Sequence, residues 1–432
     1  MGEVWGRLRA AATTEPGRLQ VLGAVLAALV VAFGAVAAFE VSDRASAADD
    51  VVGRSQPLSA DAASVYRSLA DADAAAASGF LAGSVEPADV RARFDKDIST
   101  ASRLLVKAAT NTDLSTGSGR EIATLNEQLP LYTGRIERAR AANRQGLPLG
   151  GAYLRYANQQ MTTQLLPAAE RLYAAETARL SGDDDEARAW PLLSLALGVV
   201  ALGVLGWAQR RNYQRTNRVF NHGLLAATAA TAVVLLWLAV GHAVARSGLD
   251  DAQAHGQASL KVLNEARINS LKARANENLT LVARGAVLTD DGKNDKYETD
   301  YTSGMSSLGS ALDRARSLAA DDRAGSAPVD TARARVADWK TRHAQARGAD
   351  DAGDYDAALR KVVGARDSTG ESFDRVDAAL EQALAHEQEQ FTRSAKDGRG
   401  ALTGLPVGAA VLAVLGAVGA IMGINRRLSE YR

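Results

Sequence analysis

The chain has 432 residues, equal numbers of basic and acidic side chains (50 each) and no cysteine. That length allows two or three domains with a sizeable core. The missing thiols exclude disulfides, thiolate metal sites, a lipid-modified cysteine and cysteine nucleophiles, and the five histidines stand at no metal-ligand spacing in sequence.

Residues 1–18 carry Arg7, Arg9 and Arg18 against Glu3 and Glu15. The run 19–39 follows (LQVLGAVLAALVVAFGAVAAF), with no Asp, Glu, Lys or Arg among its 21 residues. At ~1.5 Å per residue it spans roughly 32 Å, the thickness of a hydrocarbon core. Ala35-Val36-Ala37 resembles a signal-peptide cleavage site, but the run exceeds the ~7–15 residues of a signal core, so a retained span is expected. Runs 190–208, 222–245 and 401–424 are equally free of these charges, and Trp190, Trp207 and Trp237 lie at or toward run ends, as an interfacial aromatic belt would place them. One basic side chain at the bilayer centre costs about 2.5–3.5 kcal/mol, so four charge-free runs predict four membrane-spanning helices.

Charge orients the spans. The short segments 1–18, 209–221 and 425–432 have net charges of +1, +4 and +2, so in a neutral chain the long segments 40–189 and 246–400 together carry −7. The positive-inside rule then places both termini and the 209–221 loop in the cytoplasm, and both long segments outside. The loop's Arg210, Arg211, Arg215 and Arg218 have no acidic neighbour among them. They are expected to anchor topology and, with Arg426 and Arg427, to contact a cytosolic partner. A nucleic-acid role is not expected for so short a loop pinned between spans.

The long segments read as helices. In 40–189, Ile122, Leu125, Leu129, Tyr132, Ile136 and Ala139 form one stripe, and Leu154, Ala157, Met161, Leu165, Ala168 and Leu172 another. In 246–400, Tyr355, Leu359 and Val362 precede the stripe Phe373, Val376, Leu380 and Ala383. Seams of this kind are buried in antiparallel bundles. Turn signals fall at 83–87, 110–119 and 144–151, and again at 289–295, 321–328 and 347–354. Pro130 and Pro167 are expected to kink helices rather than end them. No stretch alternates like a strand. A shift of 202 aligns Ser68, Leu69 and Gly83 with Ser270, Leu271 and Gly285. The expected fold is an all-α membrane protein with four transmembrane helices and two extracytoplasmic four-helix bundles, over 40–189 and 246–400, related by internal duplication in parallel orientation.

Candidate contact residues gather at the turns expected to cap each bundle. Gln145, Leu147, Tyr153 and Arg155 belong to the first, and Asp290, Asp291, Asp295, Asp350, Asp351 and Asp354 to the second. The acidic group reads either as a partner-docking surface or weak cation site, or as polar turn chemistry; it lacks the ligand pattern of an EF-hand loop. Tyr132, Tyr153, Tyr156, Arg138, Arg155 and Asn158 either line an amino-acid pocket or protein-binding face, or are seam packing and solvated surface. Gly419 and Gly423 form a GxxxG pair in the last span, by chance or for a close helix contact. Nucleotide-loop, catalytic-triad and zinc motifs are missing, so no enzyme activity and no cofactor are expected.

The stretches LYTGRIERARAANRQGLPLGGAYLRYANQQM (131–161) and WKTRHAQARGADDAGDYDAAL (339–359), within this four-span plan, resemble a family of actinobacterial membrane proteins of the GlnX type. Their genes lie beside those of a glutamine/aspartate-binding lipoprotein and a soluble serine/threonine kinase. The external segments are similar to the four-helix-bundle sensor domains of chemoreceptors in tandem. The resemblance implies a relay: the solute-binding lipoprotein docks outside, and kinase activity responds inside. The cytoplasmic segments of 18, 13 and 8 residues are too short for a signalling domain, so another protein must read the signal. The alternatives are an envelope scaffold and a direct small-ligand sensor.

Overall fold

The computed structural model describes residues 15–112, 115–216, 221–319, 322–364 and 366–428. The chain divides into an apolar unit (Met1–Val52, Gly182–Asp250, Ser394–Arg432) and a polar unit (Gly53–Ser181, Asp251–Arg393).

The apolar unit holds α1 (Glu15–Asp50), α7 (Leu192–Thr216), most of α8 (His222–Asp251) and α14 (Leu405–Leu428). Each belongs to a helix long and apolar enough to cross a membrane, consistent with a membrane protein. Phe33, Val41, Val234, Leu238 and Ala409 fill one layer between these helices, and Leu26, Val30, Leu205, Leu224 and Ile424 another. The outward faces carry Val25, Phe39, Val199, Leu236, Val411, Leu415 and Met422, all exposed. A belt of exposed apolar side chains suits lipid and not water. Small residues set the closest approach. A Cβ on Gly223 would lie 2.3 Å from the Gly419 carbonyl oxygen, and one on Gly423 would lie 2.9 Å from the Gly223 Cα, so the Gly419/Gly423 pair seats α14 against α8.

Near the polar ends of these helices, Glu40 accepts hydrogen bonds from the Ser194 backbone N–H (2.9 Å) and hydroxyl (2.5 Å), satisfying the start of α7. Arg44 donates to the carbonyls of Ala189 (2.7 Å) and Trp190 (3.2 Å). Helix α7 continues to Thr216, so Arg210, Arg211 and Arg215 are helical and the loop expected at 209–221 is shorter than the charge pattern suggested. Arg210 and Arg211 are exposed, with Arg211 over the Trp207 ring at 5.2 Å. Arg426 is exposed on α14. Arg218 and the side chains of Arg215 and Arg427 lie outside the described residues.

The polar unit is built from α2 (Gln56–Leu81), α3 (Ala88–Asn111), α4 (Gly117–Arg144), α5 (Leu149–Gln160) and most of α6 (Leu166–Arg188). From the second segment come α9 (Ala258–Ala283), α10 (Lys296–Ala319), α11 (Arg323–Asp351), α12 (Tyr355–Val363) and most of α13 (Thr369–Leu402). Helix α1 runs into α2 through a π-helical segment, Val51–Ser55, and α8 into α9 through another, Ala252–Gln257. The first three helices of the two segments agree in length, with 26 residues each in α2 and α9, 24 each in α3 and α10, and 28 and 29 in α4 and α11, whereas the last two differ, with 12 and 23 residues in α5 and α6 against 9 and 34 in α12 and α13. Gly83 and Gly285 end α2 and α9 with φ of +94° and +73°, a backbone region that suits glycine. The last helix of each segment does not run unbroken into its span: the chain leaves helix at 189–191 and at 403–404.

The two segments expected as two bundles meet in one compact unit here. Residues of both segments share one hydrophobic cluster, with Leu69, Ile122, Tyr132 and Met161 from the first and Leu271, Leu308, Trp339 and Leu380 from the second. The physical reason lies in α2, whose alanines at 62, 63, 70, 72 and 74–77 are all buried. Residues 72–77 are buried one after another, so this part of the helix needs cover on every side, and α9 supplies part of it. Asn278 on α9 donates to the Ser78 hydroxyl on α2 (2.7 Å), Lys272 to the Tyr66 hydroxyl (3.0 Å), and Arg67 hydrogen-bonds Asn264.

The predicted stripes are buried along α4, α5, α6 and α13. In the stripe Leu154 to Leu172, two successive steps of four flank Met161 and Leu165, and the backbone there is π-helical. The wider turn keeps both side chains on the core face. Pro167 sits just beyond this segment, whereas Pro130 lies inside an uninterrupted α4.

A cleft between the central helices and two buried polar centres

Most of the acidic residues expected at the second set of turns have local structural tasks. Asp291 accepts hydrogen bonds from the Thr289 hydroxyl (2.5 Å) and the Lys293 N–H (3.1 Å). Asp295 caps α10 through the N–H groups of Tyr297 (2.8 Å) and Glu298 (3.1 Å), and Asp354 caps α12 through Ala357 (3.0 Å). Asp350 and Asp351 pair with Arg347 at 2.6 and 3.0 Å. Asp290 is exposed. These are the turn and capping uses that aspartate serves, and no group of three or more His, Cys, Asp or Glu suited to a metal occurs among the described residues. In the first segment Gln145 and Leu147 are exposed at the 144–151 turn, tied to the 83–87 turn by Asn143, which donates to the carbonyls of Phe80 (3.0 Å) and Gly83 (2.9 Å). Tyr153 packs against the core edge. With Arg138 and Tyr156 it borders a shallow cleft of about 370 Å³.

Two buried polar centres were not singled out by the sequence. On α2, Asp73 accepts a hydrogen bond from the Tyr132 hydroxyl of α4 (3.0 Å) and another from the Asn158 amide of α5 (2.7 Å). Burial raises its pKa to about 6, against the lowering effect of these two donors. On α9, Glu277 accepts from Trp339 Nε1 (3.1 Å), Arg274 (2.7 Å) and His343 Nδ1 (2.8 Å). The other ring nitrogen of His343 faces Glu298 at 3.1 Å, and Tyr301 stacks on its ring at 3.7 Å. Burial disfavours a charged His343, but the hydrogen bonds and charges of Glu277 and Glu298 outweigh it and hold its pKa at about 9. Burial likewise works against ionised Glu277, and its partners still bring it below the usual carboxylate range. The centre is thus a paired cation–anion cluster tying α9 to α10 and α11. The available signal was Trp339, since a buried indole N–H needs an acceptor.

Of the clefts that the central helices form with their neighbours among the described residues, two can be compared element by element. The larger, about 820 Å³, is bounded by α2, α5, α6, α9 and α10 and includes Arg155, Asn158, Glu170, Lys272, Tyr297 and Asp300. The smaller, about 540 Å³, lies among α2, α3, α9, the end of α12 and α13 and includes Asp71, Arg93, Arg274 and Asp374. Under the correspondence of elements above, the helices of one cleft map onto those of the other. Their charges are handled differently. In the smaller cleft Arg93 pairs with Asp71 (2.8 Å), Asp374 (3.1 Å) and Asp377 (3.5 Å), and Arg274 with Glu277 (2.7 Å). In the larger, Lys296 pairs with Asp300 (2.7 Å), but among the described residues no carboxylate comes within ion-pair distance of Arg155 or Lys272. Lys272 donates to the Tyr66 hydroxyl, which donates in turn to Glu170 at 3.3 Å. Burial lowers the Lys272 pKa, with Glu170 opposing. Arg155, Tyr156 and Asn158, three of the expected pocket residues, meet here, whereas Tyr132 reaches Asp73 from within the core.

Residues 47–185 match the family model of the actinobacterial sensor domain. The matched stretch runs from the end of α1 through most of α6, less than half of the chain, and includes Asp73, Tyr132 and Arg155. No curated protein and no solved structure matches the chain. The family match supports an actinobacterial sensor protein with a sensing or signalling role.

Proposed function

We propose that the chain is a transmembrane sensor that relays the extracytoplasmic supply of amino acids (Asp, Glu or Gln) to a cytosolic serine/threonine kinase, with a solute-binding lipoprotein docking on its polar unit. Both termini and the Arg210/Arg211 end of α7 face the cytoplasm in this reading, and the polar unit faces outward. The two segments arose by duplication, a reading supported by the matching lengths of their first three helices and by the π-helical segment before each of α2 and α9. The observation that carries the proposal is the shared core of the polar unit: helices entering from the first and third apolar runs, α2 and α9, lie against each other at its centre. A change in how they pack is then available to both runs, and shifts of ~1–2 Å at packed helices are the usual currency of such switching. The match to a sensor-domain family supports the same direction.

The test is site-specific photo-crosslinking in cells from positions 145 and 290 to the lipoprotein, with and without aspartate, alongside the kinase response in a deletion strain. Ligand-dependent crosslinks and a lost response are expected. A strain that keeps the response but misplaces wall or division proteins would favour the scaffold reading. Because the chain lacks cysteine, single cysteines at 210 and 290 labelled by an impermeant maleimide test orientation: 290 reacts from outside, and 210 only after permeabilisation.

A further inference from the structure

We propose that the larger cleft of the polar unit is a binding site for an acidic α-amino acid, held by Arg155 and Lys272 through its carboxylates and by Glu170 through its ammonium group. The inference rests on the amino-acid-sensing reading above and adds that this chain itself holds the ligand.

The argument comes from comparing the two clefts. They occupy corresponding places in the fold, so any general need for charge at these helix surfaces should be met in the same way in both. In the smaller cleft it is met internally: Arg93 and Arg274 are neutralised by Asp71, Asp374, Asp377 and Glu277. In the larger cleft two partly buried cations, Arg155 and Lys272, have no carboxylate at pairing distance among the described residues, and Glu170 has no cation at that distance. Partly desolvated charges gain from a partner; here these are Arg155 and Lys272, and Lys272 reaches Glu170, an exposed carboxylate of the cleft's lining, only through the Tyr66 hydroxyl. A simple dicarboxylate would leave Glu170 facing a ligand anion, and a diamine would face two cations. A zwitterion carrying an extra carboxylate satisfies all three groups. Tyr297 and Asn158 add hydroxyl and amide groups to the lining, and a cleft of about 820 Å³ falls within the usual range for small-ligand sites. The cleft is bounded by helices of both segments, so a ligand in it touches α2 and α6 on one side and α9 and α10 on the other.

The test is isothermal titration calorimetry on the purified full chain in lipid nanodiscs, without lipoprotein or kinase, using L-glutamate, L-aspartate, succinate and putrescine. The acidic amino acids should bind and putrescine should not. Arg155→Gln and Lys272→Met should each weaken L-glutamate binding by about tenfold or more, while Arg103→Gln, exposed on α3 away from the cleft, leaves it unchanged. Glu170→Gln should weaken L-glutamate but not succinate. Arg155 makes no described ion pair, so Arg155→Gln should keep the wild-type melting temperature. No heat from either amino acid with the wild-type chain, tighter binding of putrescine, or binding indifferent to both Arg155→Gln and Lys272→Met overturns the site. The relay is judged separately: an intact lipoprotein-dependent kinase response with no binding to the purified chain sinks the cleft alone, and binding without that response sinks the relay alone.

Discussion

Raising the pH from 6.5 to 9 should loosen the polar unit at one identifiable place, the Glu277–His343 centre. His343 ionises at about 9 in the folded chain against 6.5 for a free imidazole, so its protonated form is favoured by folding. Stability from a raised histidine pKa is fully present below 6.5 and is lost as pH climbs through 9. A shift of about 2.5 units, at 1.36 kcal/mol per unit, corresponds to roughly 3 kcal/mol. The ring is buried and stacked on Tyr301, so solvent screening takes little from this figure. Other groups push the same way: burial raises Glu387 to about 7, and burial together with Asp71 raises Asp97. The informative quantity is therefore the difference between the wild-type chain and His343→Gln. Hydrogen exchange of the α11 amides in nanodiscs, corrected for the intrinsic pH dependence of exchange, should show wild-type opening free energy falling by roughly 3 kcal/mol more than that of the variant. Parallel pH profiles for the two proteins would refute the assignment of the charge to His343.

Glu277→Gln leaves Arg274 charged and buried with its principal partner gone, and should cost about 3–5 kcal/mol in the opening of α9, read by the same exchange experiment. Tyr132→Phe removes one of the two donors to Asp73 and should lower stability by about 1 kcal/mol, measured by the shift in the unfolding transition of the solubilised chain. In the apolar unit, a Cβ at Gly419 would lie 3.4 Å from that of Ala226, close to disulfide geometry. The pair Ala226→Cys and Gly419→Cys in this cysteine-free chain should therefore oxidise readily, as seen by mobility on non-reducing gels. Adding Gly423→Val, whose branched side chain meets the Gly223 backbone, should slow that oxidation severalfold; an unchanged rate would show that α8 and α14 are not held together there.

The four charge-free runs and the stripes of the polar helices were legible in the sequence because each depends on local periodicity alone. A run without Asp, Glu, Lys or Arg identifies a span whatever surrounds it, and Ile122 to Ala139 are buried as their spacing required. Gly83, in the turn expected at 83–87, takes positive φ, but most of the turn expected at 321–328 is the first part of α11. The candidate residues fared differently. Asp291, Asp295 and Asp354 read either as a docking surface or weak cation site or as polar turn chemistry, and they make turn and capping hydrogen bonds. That choice turns on hydrogen-bond geometry that residue type does not encode. Arg155 and Asn158 were noted without Lys272, which completes the cleft with them, because Lys272 comes from a helix more than 100 positions away.

By itself the sequence determined that the chain is helical, where its four apolar helices lie and which stripes face inward, because these follow from hydrophobic periods of 3.6 residues and the thickness of a bilayer. Only the tertiary structure decided that both segments form one core. Alanine on every face of α2 says that the helix must be covered, but not by what, and the partner is α9, some 200 positions away. The same pairing decides which charges are neutralised and which are left open. Arg93 finds Asp374 and Asp377 across the two segments, and Arg155 and Lys272 find no such partner, because pairing depends on the distance between groups once the helices have packed.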